Sequence, residues 1–244
     1  LRSPSSIAHS GGARHETTEL PAGTGDGMSQ VTNGIRAILS SPYVYTLFQN
    51  LMGAQHVWLQ FVREYVRPFP GATVLDVGCG PADVLAFIRE KVDYWGFDIS
   101  QAYIDQATRK FGHRGHFICK LLTEADLQAL PKFDVVIASG VLHHMDDAVV
   151  RQFLSLARRA LKPEGRLVTL DPCLVEGQNP VARFLIERDR GQNVRAEAGY
   201  ATLALSEFPD VRIEVRHKAW IPYTHCYMEC RTAAASSVEN KETE

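Results

Sequence analysis

The chain has 244 residues, 45% of them hydrophobic and 22% charged, with a formal net charge of −2. That balance suits an ordinary globular core, and the weak acidity leaves no electrostatic footprint for nucleic acid. No stretch approaches the roughly 18 uninterrupted apolar residues of a membrane-spanning helix, and the five scattered cysteines (Cys79, Cys119, Cys173, Cys226, Cys230) favour reduced thiols and a cytoplasmic setting.

Residues 1–27 are rich in Ser, Gly, Thr and His and include Glu16, Glu19 and Asp26, without an apolar run. They resemble neither a signal nor a transit peptide. They are expected to be a disordered head, either added for expression or native, with Met28 the expected natural start. Residues 28–70 carry apolar spacings of three and four (Ile35, Ile38, Leu39; Val44, Leu47, Phe48, Leu51; Val57, Trp58, Phe61, Val62, Tyr65) closed by Pro68 and Pro70. They predict amphipathic helices that either pack on the following domain or cover its ligand as a lid.

The next segment, Thr73-Val-Leu-Asp-Val-Gly-Cys-Gly-Pro-Ala-Asp-Val-Leu85, is the most informative in the chain. A short apolar run ends in Asp76, and Gly78 and Gly80 then let backbone approach a ligand where a Cβ would collide. A second apolar run ends in Asp98, placed for ribose hydroxyls. A dinucleotide fingerprint wants a small residue where Asp83 stands, and the Gly-Lys-Ser/Thr of a phosphate loop is missing. The turn therefore suits a nucleoside with a cationic tail.

On these residues the sequence resembles the class I S-adenosylmethionine (SAM)-dependent methyltransferases, particularly the small-molecule group of ubiquinone/menaquinone and sugar methyltransferases. Phe133-Asp-Val-Val-Ile-Ala-Ser-Gly-Val-Leu-His-His-Met-Asp-Asp147 is similar to the family's fourth-strand motif. Ala157-Arg-Arg-Ala-Leu-Lys-Pro-Glu-Gly-Arg-Leu-Val-Thr-Leu-Asp171 is similar to its next helix, turn and fifth strand.

The alternation along the chain predicts an α/β fold, with strands at 73–77, 94–98, 116–119, 133–138 and 166–170. Helices are expected at 81–90, 100–110, 123–129 and 147–161. Two more strands follow, from Asp210 to Ala219 and from Thr224 to Arg231. The resemblance implies a doubly wound, Rossmann-like seven-stranded sheet in the order 3-2-1-4-5-7-6, the last strand antiparallel, with an N-terminal helical lid. The expected organisation is head 1–27, lid 28–70, SAM-binding domain 71–231 with a substrate insertion at about 172–208, and a polar tail 232–244. Within the insertion, Pro180 to Asp189 reads as a helix and another short helix starts at about Gly199.

The resemblance assigns Asp76, Gly78, Cys79 and Gly80 to the methionine end of SAM and Asp98 to the ribose. Asp98 alternatively caps the helix that begins after Ser100. Ile99 is placed against the adenine and Ser139 beside the cofactor. The family's acid after strand three is missing from Cys119-Lys-Leu-Leu-Thr-Glu124, so backbone near Leu121 or Leu122, or Glu124 with a shifted register, would hold the adenine amino group. His143 and His144, after strand four, and Asp171, after strand five, are candidates for proton abstraction, with His144 preferred. One histidine of the pair is expected only to bond loop backbone.

Arg183, Arg188, Arg190 and Arg195 form either a solvated surface or a site for an anionic acceptor, which Tyr223 and His225 would help to line. No metal is expected, because Pro172 and Cys173 follow Asp171 where metal-dependent relatives place an Asp-Asn pair, and Cys226 and Cys230 lack a second pair for zinc. The expected function is methyl transfer from SAM to a small-molecule acceptor, oxygen first, giving S-adenosylhomocysteine. The alternative is a SAM-binding regulator or scaffold without turnover.

Overall fold

The computed structural model describes residues 54–187, 193–218 and 221–232. Eight strands are present: β1 (Thr73–Val77), β2 (Asp93–Asp98), β3 (Gly115–Cys119), β4 (Phe133–Ser139), β5 (Leu161–Leu174), β6 (Arg195–Ala196), β7 (Asp210–Lys218) and β8 (Ile221–Arg231). Among the described residues five α-helices accompany them: α1 (Ala54–Phe61), α2 (Gln101–Phe111), α3 (Asp147–Ala160), α4 (Pro180–Glu187) and α5 (Glu197–Leu205). The sheet order is β3-β2-β1-β4-β5-β8-β7, with the two-residue β6 attached beside β5. β8 runs antiparallel to both of its neighbours, whereas β1 to β5 are mutually parallel. With β6 set aside, this is the doubly wound order the sequence predicts.

Apolar residues alternate along the strands to both faces, so the sheet separates two cores. On one face Leu75, Val136, Ala138 and Leu167 meet Phe153 and Leu154 of α3 and Leu203 of α5. On the other, Val74, Val135, Ile137 and Val168 meet Val57 and Phe61 of α1 and Ala107 of α2. α1 continues as one π-helical turn, Val62–Val66, before Arg67 adopts a left-handed conformation. Tyr65 stacks on Tyr227 with ring centroids 4.9 Å apart and donates to Glu214 at 2.6 Å. Arg67 holds the buried Glu229 at 2.7 Å, and Arg166 donates to the carbonyls of Tyr65, Val66 and Arg67. The described part of the N-terminal segment therefore packs along the sheet face. The lid expected over 28–53, like the head, lies outside the described residues, as does all but Thr232 of the tail.

Two predicted helices are much shorter than expected. Residues 81–90 contain only a 3-10 turn, Asp83–Ala86, entered through Ala82 at φ 58°. Arg114 donates to the carbonyls of Leu85 and Ile88; a continuous helix over 81–90 would have bonded the first internally and left the second open at its end. Residues 123–129 contract to the 3-10 turn Asp126–Gln128, with the Asp126 carboxylate accepting from the amide and hydroxyl of Thr123. Conversely, β5 begins five residues before the predicted strand, absorbing the Lys-Pro-Glu-Gly turn through a register shift against Phe133 and Val135. Among the described residues, no helix is long and apolar enough to cross a membrane.

The irregular start of β5 depends on Gly165. A Cβ there would lie 2.8 Å from the Phe133 carbonyl oxygen and 2.9 Å from Leu161 Cδ2. We expect Gly165→Ala to destabilise the fold by about 1–3 kcal/mol in urea unfolding, the scale of forced overpacking. A change below about 0.5 kcal/mol would show that the β4–β5 entry yields freely.

Candidate functional site

The parallel strands direct the loops after β1, β2, β4 and β5 to one carboxyl edge, where an open α/β sheet gathers ligands. β1 ends on Asp76, whose register partner is Gly96. The missing side chain at Gly96 makes room for Cys79, since a Cβ there would stand 2.9 Å from its sulfur. Tyr94, two residues earlier on β2, reaches across to donate its hydroxyl to Asp76 Oδ2. Burial raises the Asp76 carboxyl to about 7, the Tyr94 hydroxyl opposes that rise, and the Asp98 charge adds to it. Burial likewise pushes the Cys79 thiol and the Tyr94 phenol above their usual ranges.

Gly78 and Gly80 both have positive φ, 71° and 53°, which only glycine adopts without strain. A Cβ on Gly78 would lie 2.6 Å from Val141 Cγ2, whereas one on Gly80 would meet nothing within 4 Å. The amides of Gly78 and Cys79 both donate to the Phe97 carbonyl, at 2.7 and 3.0 Å. The Gly80 amide donates to Asp98 Oδ2 at 2.9 Å, and Asp98 Oδ1 accepts from the Ser100 amide at 2.8 Å. Ser100, not Asp98, caps α2. Each Asp98 oxygen has one protein bond, leaving lone pairs for further donors.

Ile99 and Leu121 are exposed past the ends of β2 and β3, while Leu122 is buried. This gives two apolar surfaces for a flat ring beside Asp98. Ser139 ends β4 opposite Leu170, on the α1 face. The Glu124 carboxylate is held by Arg159, close to the C-terminus of α3.

The two histidines form a 3-10 turn, Leu142–His144, after β4. His143 Nδ1 lies 2.8 Å from Asp171 Oδ1, and both side chains are buried. The same oxygen accepts the His143 backbone amide at 3.2 Å. An ionised carboxylate only accepts; a neutral imidazole paired with one at this contact carries its proton on Nδ1 and its basic lone pair on Nε2. The sequence favoured His144, but Asp171 is bonded to His143; the rings of His143 and His144 lie 4.1 Å apart. Asp171 Oδ2 is buried without a hydrogen-bond partner among the described residues.

The residues expected to meet an acceptor are dispersed. All five N–H donors of Arg195 are used within the fold. Nε and Nη2 reach Asp147 Oδ1, Nη1 reaches the carbonyls of Leu142 and Asn193, and Nη2 also reaches the carbonyl of Met145. Arg195 is therefore a clamp on the histidine turn, not an open cation facing an acceptor. Tyr223 and His225 share the face of β8 that carries Tyr227 and α1, whereas Asp171 stands opposite Cys226, which belongs to the other core. The sheet thus separates Tyr223 and His225 from the His143–Asp171 pair. Arg188 and Arg190 lie outside the described residues. Among the described residues, no group of three or more His, Cys, Asp or Glu side chains could hold a metal.

Sequence reasoning did not find Tyr94 or Tyr200. Tyr94 has a legible signal, because its position four residues before Asp98 puts it on the face of β2 that Asp76 occupies on β1. Tyr200, whose hydroxyl donates to the Pro172 carbonyl at 3.0 Å, has none, since that contact depends on how α5 docks.

Residues 75–167 match a family model described as a methyltransferase domain. The chain is 31% identical over 135 residues to the ubiquinone/menaquinone biosynthesis C-methyltransferase UbiE of Paraburkholderia phytofirmans, covering 52% of this chain and 55% of that protein. It is 34% identical over 111 residues to an uncharacterized 37.1 kDa protein in transposon TN4556 of Streptomyces fradiae, covering 42% of this chain and 31% of that protein. The chain thus spans between about a third and about half of the length of these curated relatives. Among solved structures, the mitomycin 7-O-methyltransferase MmcR superimposes with a TM-score of 0.53 at 20% identity, covering 78% of this chain and 58% of that one. At these identities the structural likeness speaks to the fold.

The buried Asp76 ties stability to pH. Its carboxyl titrates near 7 when folded, against 3.8 when unfolded. Its contribution is fully present below pH 3.8 and is lost as pH rises through about 7, because the unfolded chain ionises first. We expect Asp76→Asn, which cannot ionise, to gain in melting temperature relative to wild type between pH 4 and pH 8. A constant difference across that range would show that Asp76 ionises normally in the folded protein.

Proposed function

We propose, from the match of residues 75–167 to a methyltransferase domain, that this chain is a class I SAM-dependent methyltransferase that transfers the methyl group of SAM to a small-molecule acceptor, with oxygen the accepting atom. The observation that carries the reading is the turn after β1. Two left-handed glycines hold the Gly80 amide against Asp98 and leave open space above Gly80, with Ile99 and Leu121 exposed alongside. That cradle fits a nucleoside and lacks the lysine of a phosphate loop. Asp98 would take the ribose hydroxyls, Ile99 and Leu121 the adenine faces, and the Gly78–Gly80 turn the methionine end, with Asp76 and Tyr94 beneath. Ser139 would border the same space.

SAM supplies a methyl group already activated on a sulfonium, so the protein's work is alignment, exclusion of water and removal of a proton. His143 Nε2 is the group we assign to the proton. Asp171 holds Nδ1–H, fixes the tautomer and favours the imidazolium formed when an acceptor hydroxyl gives up its hydrogen. His144, its ring tilted against that of His143, would shield that ring or contact the acceptor. The 172–208 insertion would form part of the acceptor wall, because it leaves from the end of β5. An anionic acceptor rests on Arg188 and Arg190 alone, now that Arg195 is fully engaged.

Calorimetry with SAM and S-adenosylhomocysteine tests the cofactor. Asp98→Ala should weaken both by about 1.5–3 kcal/mol, the scale of lost hydrogen bonds to a charged group. No binding to the folded wild type would overturn the assignment. An acceptor screen with tritium-labelled SAM then tests chemistry. His143→Ala should lower turnover by about 10²–10⁴-fold with SAM affinity intact, and His144→Ala should cost less. The opposite order would return the base to His144, and SAM binding without transfer to any acceptor class would favour a scaffold. Raised acceptor KM in Arg188→Ala or Arg190→Ala, with unchanged SAM affinity, would support an anionic acceptor.

A further inference from the structure

The residues around His143 and Asp171 are attached to one short segment, Asn193–Tyr200, which the reading above leaves without a task. On the histidine side, the Asn193 amide donates to the His143 carbonyl at 3.0 Å. Arg195 donates to the carbonyls of Leu142 and Met145 at 3.0 and 2.8 Å, so it grips the turn one residue before and two residues after His143. On the aspartate side, β6 pairs Arg195 with Cys173 and Ala196 with Leu174, just beyond Asp171. The Tyr200 hydroxyl donates to the carbonyl of Pro172, the residue next to Asp171. The Arg195 guanidinium lies 5.8 Å from the centroid of the Tyr200 ring, joining the two sets of attachments.

We propose that Asn193, Arg195 and Tyr200 are positioning residues that hold His143 and Asp171 in hydrogen-bonding register, with Arg195 the principal one. Without this segment the register would depend on the contacts of His143 with Asp171, on the Gly140 amide's bond to Leu170, and on a 3-10 turn that has few internal bonds and ends three residues before α3 begins. The carbonyls of Leu142 and Met145 point towards the same guanidinium, so its planar fork sets the pitch of the turn and hence where the imidazole stands. A lysine can keep the ion pair with Asp147 but cannot span both carbonyls. The residues that touch the glycine turn and Asp98 are not involved, so cofactor affinity should be independent of the segment.

The proposal rests on the assignment of His143 as the base, and its test separates the two. In the full-length protein, ¹⁵N–¹H spectra of the imidazoles report which ring nitrogen of His143 carries the proton. Wild type should show a single Nδ1–H tautomer across the neutral range. Arg195→Lys should give a tautomer mixture and a shifted His143 titration, with SAM affinity within about twofold of wild type. If transfer is detected, kcat should fall by up to roughly 10²-fold, the scale of a misplaced group, with little change in KM for SAM. Tyr200→Phe, which keeps the ring and removes only the bond to Pro172, should move the same signals less. A wild-type tautomer in folded Arg195→Lys overturns the proposal whatever the activity. Full activity in His143→Ala removes the base assignment, while an altered tautomer in Arg195→Lys would still establish the positioning role.

Discussion

β5 is hydrogen-bonded along both sides, to β4 through Leu170 and to β8 through Pro172, and β6 attaches where those ladders end. A strand so enclosed cannot slide, because a slip of one residue would exchange its two faces. Val168 and Leu170 would leave the core under α1, while Leu167 and Cys173 would leave the opposite core. The position of Asp171 is inherited from this constraint. So is the docking of α1, because Arg166, near the start of β5, donates to three carbonyls at the end of the N-terminal helix. The carboxylate and the helical cover are thus referred to the same rigid ladder.

Much of this was legible in the residues. The apolar runs Thr73–Val77 and Phe133–Ser139 are dense in Val, Ile and Leu and end in turn residues, so strands and the carboxyl edge followed from local pattern. The helix expected over 147–161 is α3, and the structure adds that the Asp146 side chain caps it by accepting the Val149 amide. What remained hidden was decided at long range. The helix over 81–90 was lost to Arg114, more than twenty residues away. The choice between His143 and His144 could not be made from their order, because it depends on which ring the turn presents to β5. Arg195 looked like its neighbours Arg188 and Arg190 in a charge cluster, and only the folded distances show all its donors spent.

The site carries two buried acids on opposite sides of the sheet, handled differently. Asp76 sits over Tyr94 and is driven towards the neutral form by burial. Asp171 is bonded to an imidazole and to a backbone amide through one oxygen, with no partner for the other among the described residues. An ionised acid without such partners is expensive to bury, so a carboxylate kept here needs a cation or donor at hand. The imidazolium that forms on proton uptake by His143 would be such a partner, and a cationic cofactor near Asp76 would be another. Asp76 is therefore set to respond to a cation arriving from outside the protein, whereas Asp171 has its partner in the His143 ring.

The contacts of α1 also carry a consequence for how the chain is made. Tyr65 needs Tyr227 and Glu214, and Arg67 needs Glu229, all more than 140 residues further on. β5 itself has an unpaired flank until β8 exists. During synthesis, the first helix and the middle of the sheet must therefore wait on the ribosome with apolar surface and a strand edge uncovered, the features that invite mispairing between nascent chains. Arg67 and Arg166 give that waiting surface positive charge, until Glu214 and Glu229 arrive with β7 and β8. Translation speed across the segment before β8 would set how long the exposure lasts.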